Sequence, residues 1–189
     1  MKQFLVLAAM ALLTACSSNN KPTSSDSTKA TVDSPAAKMR DIQSPYPIMY
    51  SSKFVMDDPK NAETLLAMWK SYDNGDLSTS KDMIADTIEV HFPDGGMMRG
   101  SRDSIIKSVQ AHRNSFSSAV DKVDAIMAVK STDKNEHWVL IWGREIDTHK
   151  NGKVDSTELQ ETWMFDQNGK AALLYQFAAA SVPMPMKKK

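Results

Sequence analysis

The chain has 189 residues, with 23 basic and 23 acidic side chains and a formal charge of zero. Apolar residues make up 41% and charged residues 24%, a globular composition that excludes a wholly disordered or collagen-like chain. The even charge speaks against a dedicated nucleic-acid binder, and the single cysteine excludes an internal disulfide framework or a cysteine-based zinc site.

Met1 and Lys2 form a short positive start. The mostly apolar run from Phe4 to Leu13 is too short to span a bilayer of roughly 30 Å. It ends in Leu13-Thr14-Ala15-Cys16, which resembles a bacterial lipobox. The resemblance implies cleavage after residue 15, lipidation of Cys16 and acylation of the new amino terminus. Ser17 after the cysteine implies passage to the outer membrane of a cell envelope. From Ser17 to about Ser44 the chain is rich in Ser, Thr, Asn, Asp, Lys and Pro. It lacks the apolar surface to offset its ordering entropy and reads as a tether. As a coil of about 28 residues it reaches roughly 30 Å. Residues 45–182 are then the folded domain, and 183–189 a frayed basic tail ending in Lys187-Lys188-Lys189.

The first helix opens at Asp58-Pro59, which supply a cap and a first turn, and stops at Gly75. Leu65, Met68, Trp69 and Tyr72 form its apolar face. A short second helix spans Ser78 to Ile84. Ile88, Val90 and Phe92 alternate with Glu89 and His91, the mark of a strand with one buried face and a surface histidine. Pro93-Asp94-Gly95-Gly96 turns the chain, and Ser101 caps a third helix whose apolar face carries Ile105, Val109, His112 and Phe116. From about Ser118 the period becomes two, with Val123, Ala125, Met127 and Val129 on one side. Glu136–Thr148, Val154–Asp166 and Lys170–Ser181 follow as strands, separated by the hairpin pairs Asn151-Gly152 and Asn168-Gly169. Helices segregated on one face of an antiparallel sheet make an α+β domain.

A two-residue loop at Asn151-Gly152 sets Lys150 opposite Lys153. Trp138, Leu140, Trp142 and Arg144 then face Phe165, Trp163, Glu161 and Leu159, as one aromatic side turned to the helices. Arg144 and Glu161 lie diagonally on it as a polar pair. Val139, Ile141 and Met164 lie on the opposite side, which offers a dimer face.

The order helix, short helix, strand, helix and four long strands is similar to the nuclear transport factor 2-like family, the SnoaL-like and ketosteroid-isomerase-like group. Ala62–Gly75 resembles its opening helix, Gly100-Ser101-Arg102-Asp103-Ser104-Ile105 the start of its third helix, and Trp142-Gly143-Arg144 and Gly169-Lys170-Ala171 its strand marks. The resemblance covers about Lys53 to Ser181. It implies a cone-shaped α+β roll, about three helices packed on a curved antiparallel sheet around a cavity, and commonly a homodimer. Some members of the family isomerise, cyclise or hydrolyse; many only bind.

The enzyme members' last strand often closes on an aromatic residue followed by Asp; here it reads Tyr175-Gln176-Phe177-Ala178, without an acid. The leading expectation is therefore a membrane-tethered, non-catalytic domain binding a small hydrophobic ligand or an envelope protein. Trp142, Arg144, Glu161, Trp163 and Tyr72 would line its pocket, and it would need no cofactor or metal. The alternative is an acid–base enzyme acting on a small apolar carbonyl substrate, with Glu161 or His112 as base and Arg144 or Tyr175 steadying an enolate. Asp147 to Glu158 imitates a calcium loop of the EF-hand type. Its flanks alternate as strands, however, and His149 at the third position is a poor ligand for a hard cation. There is no phosphate loop and no Gly-x-Ser-x-Gly elbow.

Overall fold

The computed structural model describes residues 41–180 and the backbone of residues 182–183. The expected signal segment, Cys16, the tether up to residue 40 and the Lys187–Lys189 tail lie outside the described residues.

The elements are β1 (Phe54–Met56), α1 (Lys60–Asn74), a 3-10 helix (Leu77–Met83), β2 (Ile84–His91), β3 (Met97–Ser101), α2 (Arg102–Arg113), β4 (Phe116–Ser131), β5 (Glu136–His149), β6 (Val154–Phe165), β7 (Ala171–Ala178) and β8 (Val182–Pro183). The strands form one curved sheet in the order β1-β4-β5-β6-β7-β2-β3, with β8 paired to β6. The long strands pair antiparallel as expected, but β2 runs parallel to β7, so the sheet is mixed. The short strands β1 and β3, which carry no clear alternation, extend its two edges.

Local chemistry explains the helix ends. The Asp58 carboxylate accepts the Lys60 N–H at 2.8 Å, and Pro59 precedes α1. Gly75 takes φ 77°, a left-handed turn open to glycine, and its N–H returns to the Tyr72 carbonyl. Ser101 Oγ accepts the Ser104 N–H at 3.3 Å and starts α2. Phe116, read above as the end of that helix face, begins β4 instead.

The helices cover the concave face of the sheet. The core between them includes Leu65 from α1, Val139 and Ile141 from β5 and Phe165 from β6, all at most 1% exposed. Gly143 decides how closely α1 approaches. A Cβ there would fall 2.4 Å from the Lys122 carbonyl oxygen and about 3 Å from the Trp69 ring, so the bare backbone leaves room for the indole to lie on the sheet.

Two registers differ from the sequence reading. The β5–β6 loop has three residues, with Gly152 at φ 84°, and His149 stands opposite Lys153 through the bond from its N–H to the Lys153 carbonyl. Trp138, Leu140, Trp142 and Arg144 therefore pair with Met164, Thr162, Gln160 and Glu158 on the outer face, while Val139, Ile141, Gly143 and Glu145 pair with Trp163, Glu161, Leu159 and Thr157 on the inner face. Val139 and Ile141 are thus core, not a dimer face. The second difference is a bulge between Val123 and Ala125 in β4. Ala119 is buried before it and Ala128 after it, while Met127, opposite Leu140, is 39% exposed on the outside. An extra residue in one strand reverses which alternate positions face inward.

Candidate functional site

Between the helices and the sheet lies a cavity of about 690 Å³, within the usual size of small-molecule sites. Its walls are mainly apolar, from Ile88 and Val90 on β2 and from Ile105 and Val109 on α2. Trp69 and Tyr72 of α1 and Trp163 of β6 add aromatic surface.

A group of carboxyls meets this apolar wall. Glu161 is 4% exposed. Its Oε2 accepts the Trp69 indole N–H at 2.9 Å and the Trp163 indole N–H at 2.8 Å, and its Oε1 accepts the Gln176 amide at 2.8 Å. Burial pushes this carboxyl above its ordinary range, and the three donors oppose that shift by favouring the charged form. Asp121 and Glu145 both line the cavity and stand directly opposite each other across the β4–β5 ladder. Like charges in that relation repel. Burial, reinforced by Glu145, pushes Asp121 up to about 8. Burial and the charge of Asp147 push Glu145 up to about 7, against the Tyr72 hydroxyl set beside it. Burial also raises the Tyr72 phenol, and the charge of Glu145 adds to the rise. Asp147 is raised by burial, and His112, His149 and Arg113 work against that rise.

α2 is fastened to the end of α1 beside these groups. Arg113 is buried, and its Nε and Nη2 donate to the carbonyls of Tyr72 and Asp73 at 2.7 and 3.0 Å. Gln110 accepts the Leu77 N–H and donates to the Gly75 carbonyl. The Asp73 carboxylate in turn accepts the Asp121 N–H at 2.8 Å. These bonds hold the two helices and β4 in fixed relation around the carboxyls.

Of the expected site residues, the cavity brings together Tyr72, Glu161, Trp163 and His112, with Trp69 beside them. It does not include Arg144, Trp142 or Tyr175. Arg144 lies on the outer face, where its Nε donates to Glu158 at 2.6 Å, so it is no partner of Glu161. Trp142 lies outside as well, in a shallow depression beside Phe177. Tyr175 stacks on His91 at 4.6 Å on that same outer side. The strand parity set by the three-residue loop accounts for Arg144 and Trp142, and Tyr175 faces outward with its β6 partner Thr162. Asp121 and Glu145 were not foreseen. The strand-borne acids that line the cavity come from β4, β5 and β6 and not from the last long strand. The calcium-loop imitation from Asp147 to Glu158 spans the β5–β6 hairpin, where His149 Nε2 lies 2.8 Å from Asp155.

No protein-family model and no curated protein sequence matches the chain. Solved structures do match its fold. SalBIII, described as an epoxide hydrolase/cyclase-like enzyme in pyran ring formation in the polyether salinomycin, aligns with a TM-score of 0.53 at 13% identity, over 67% of this chain and 95% of its own. A LEH-like epoxide hydrolase of M. tuberculosis aligns at 0.53 and 12% identity, over 64% and 83%. An NTF2-like protein from Anabaena variabilis aligns at 0.51 and 13%, over 67% and 95%. Helices on the concave face of a curved sheet, the strand order and these alignments together make the domain a nuclear transport factor 2-like cone fold.

Proposed function

We propose that the domain is an acid–base enzyme acting on a small, largely apolar carbonyl compound, with Glu145 taking a proton and Asp121 giving one. One observation carries the reading: two carboxyls paired across strands on an apolar cavity wall, both with raised proton affinity. At neutral pH the pair holds about one proton, since like charges this close resist double ionisation. The ionised carboxylate removes a proton beside the substrate carbonyl. The neutral carboxyl donates to the carbonyl oxygen as negative charge develops there. Return of the proton at another carbon completes an isomerisation. Tyr72 orients Glu145, and Glu161 fixes the two indoles that shape the wall. The same two groups suit epoxide opening, protonating the ring oxygen while water attacks a ring carbon and loses a proton; SalBIII and the M. tuberculosis protein of the same fold are described as epoxide hydrolase-like.

The test is turnover of a panel of cyclic ketones in D₂O and of apolar epoxides in ¹⁸O-water, followed by mass spectrometry. Exchange or opening that falls about 10²–10⁴-fold in Glu145→Gln is the expected result. Panel members that bind the cavity tightly and are never altered would reduce the domain to a binding module and remove the enzyme reading. We also propose that Cys16 carries lipid and tethers the domain in the cell envelope, on the strength of the lipobox spacing alone. Mass spectrometry of the amino-terminal peptide is expected to show acyl chains on Cys16, and Cys16→Ser is expected to move the protein from the membrane to the soluble fraction.

A further inference from the structure

The segment ahead of β1 is unlike the rest of the surface. Every residue from 41 to 50 is exposed. Among them are Ile42, Tyr46, Ile48, Met49 and Tyr50, with Tyr46 78% and Met49 88% exposed. Single exposed apolar residues are ordinary, but a contiguous run of them marks a surface that meets a partner or a membrane. The base of this arm is fixed. The Tyr50 ring stands at right angles to Trp138, with centroids 6.3 Å apart, and its hydroxyl donates to Glu136. Ser51 Oγ donates to Asp133 at 2.6 Å, in the turn between β4 and β5. Lys134 of the same turn holds its Nζ 5.5 Å from the Tyr50 ring centre.

Three features decide what covers the arm. Pro45 and Pro47 remove the backbone N–H groups from one hydrogen-bonding side, which disfavours adding the arm to the sheet edge of another chain. From Ile42 to Met56 the only charged residue is Lys53, so no acid in this stretch opposes an anionic surface. The sequence ahead of the arm reads as the tether from Cys16, and that tether runs directly into it. The arm is thus the part of the described domain next to the expected membrane attachment, where a lipid surface is held at high effective concentration. Tyrosine, isoleucine and methionine on an irregular backbone suit the layer between headgroups and acyl chains. Apolar side chains are buried there, and the backbone still reaches water.

We infer that residues 42–50 dock on the lipid surface, with Ile42, Tyr46, Ile48 and Met49 set in the interfacial layer and Lys53 and Lys134 near the headgroups. This goes beyond the enzyme reading, and it rests on the proposed tether only for how the arm comes to the membrane. One arm of this size binds more weakly than a single acyl chain, so it orients the domain rather than anchoring it. β5 begins beside Tyr50 at Glu136 and runs to His149, roughly 40 Å along the strand. Asp121 and Glu145 lie toward the far end, so docking holds the acid–base pair away from the bilayer.

The experiment uses residues 17–189, which contain the whole core from Ala62 to Leu174 and carry neither the apolar leader nor acyl chains. The probe is vesicles of phosphatidylethanolamine with a minority of phosphatidylglycerol. At about 1 mM accessible lipid, roughly half of the chain is expected to sediment with them. The triple variant Tyr46→Ser/Ile48→Ser/Met49→Ser is expected to lower the partition coefficient at least about tenfold. Its circular dichroism should be unchanged, because these side chains lie outside the core. An environment-sensitive dye on Met49→Cys, in a chain with no other cysteine, is expected to shift to the blue on vesicles. The same dye on Asn151→Cys, at the tip of the β5–β6 hairpin, is expected not to shift. No sedimentation of the unaltered chain, or equal sedimentation of the triple variant, overturns the inference. So does a dimer in sedimentation velocity that the triple variant dissolves while vesicles leave the chain unbound; a second copy then covers the arm. None of these measurements reads turnover, so the enzyme reading stands or falls separately.

Discussion

Glu158 and Glu161 lie three residues apart on β6, on opposite faces of one sheet, and their surroundings differ sharply. Outside, Glu158 meets the Arg144 guanidinium with both side chains wet. Glu89, also outside, lies 2.7 Å from His91 and 3.2 Å from Arg99, and that company holds its carboxyl below the ordinary range. Inside, Asp121, Glu145 and Glu161 are all pushed up, chiefly by burial. The same functional group meets cations and water on one face and is buried with raised proton affinity on the other. What separates the two is access to water and to cations, and strand parity decides which residue receives which environment.

The inner face should be far the more sensitive to substitution. Leu65→Ala, at a fully buried α1 position, is expected to cost about 3 kcal/mol, read from urea unfolding. Gly143→Ala puts a methyl group against the Lys122 carbonyl and the Trp69 ring. It should cost about 2 kcal/mol, with a shift in tryptophan fluorescence as the indole moves off the sheet. Asp121→Asn should act in the opposite direction and only at high pH. The native carboxyl is raised to about 8, so the folded state holds a proton that the unfolded chain releases above about pH 4. Its contribution is full below that value and lost as the pH climbs through 8. The variant should therefore gain on the order of 1–2 kcal/mol near pH 8.5, relative to its effect near pH 4; a gain independent of pH would contradict the assigned proton affinity. Arg144→Met should be the mildest, below about 1 kcal/mol, because exposed ion pairs contribute little. Neither it nor Trp142→Ala should change the affinity of a ligand in the cavity. A large effect from either would erase the distinction between the faces.

Local signals predicted the elements well. Asp58-Pro59, Gly75, Ser101 and the Asn-Gly turns act over a few residues, and each lies where its chemistry requires. The strand partners followed from the turns, and Glu161, Trp163, Tyr72 and His112 were recognisable as cavity candidates. Facing was harder to read, because Asn-Gly closes a loop of two residues or of three with little local difference. That choice turned Trp142 and Arg144 outward and Glu145 inward. The bulge at Asp124 did the same to β4, hiding Asp121 among residues whose apolar alternation belongs to the outer surface. The parallel pairing of β2 with β7 had no local signal, since it joins segments far apart in the chain.

The three residues Lys150, Asn151 and Gly152 act as a counter. β5 is held by β4 on one side and β6 by β7 on the other, so neither strand is free to turn over alone. Losing or gaining one residue in this exposed loop would ask Gln160 to occupy the place of Glu161, or set the two halves of the sheet against each other. Surface loops usually tolerate changes of length. This one is constrained by arithmetic: among descendants of the chain, Lys150 is free to drift, while Gly152 at its positive φ and the length of the loop are not.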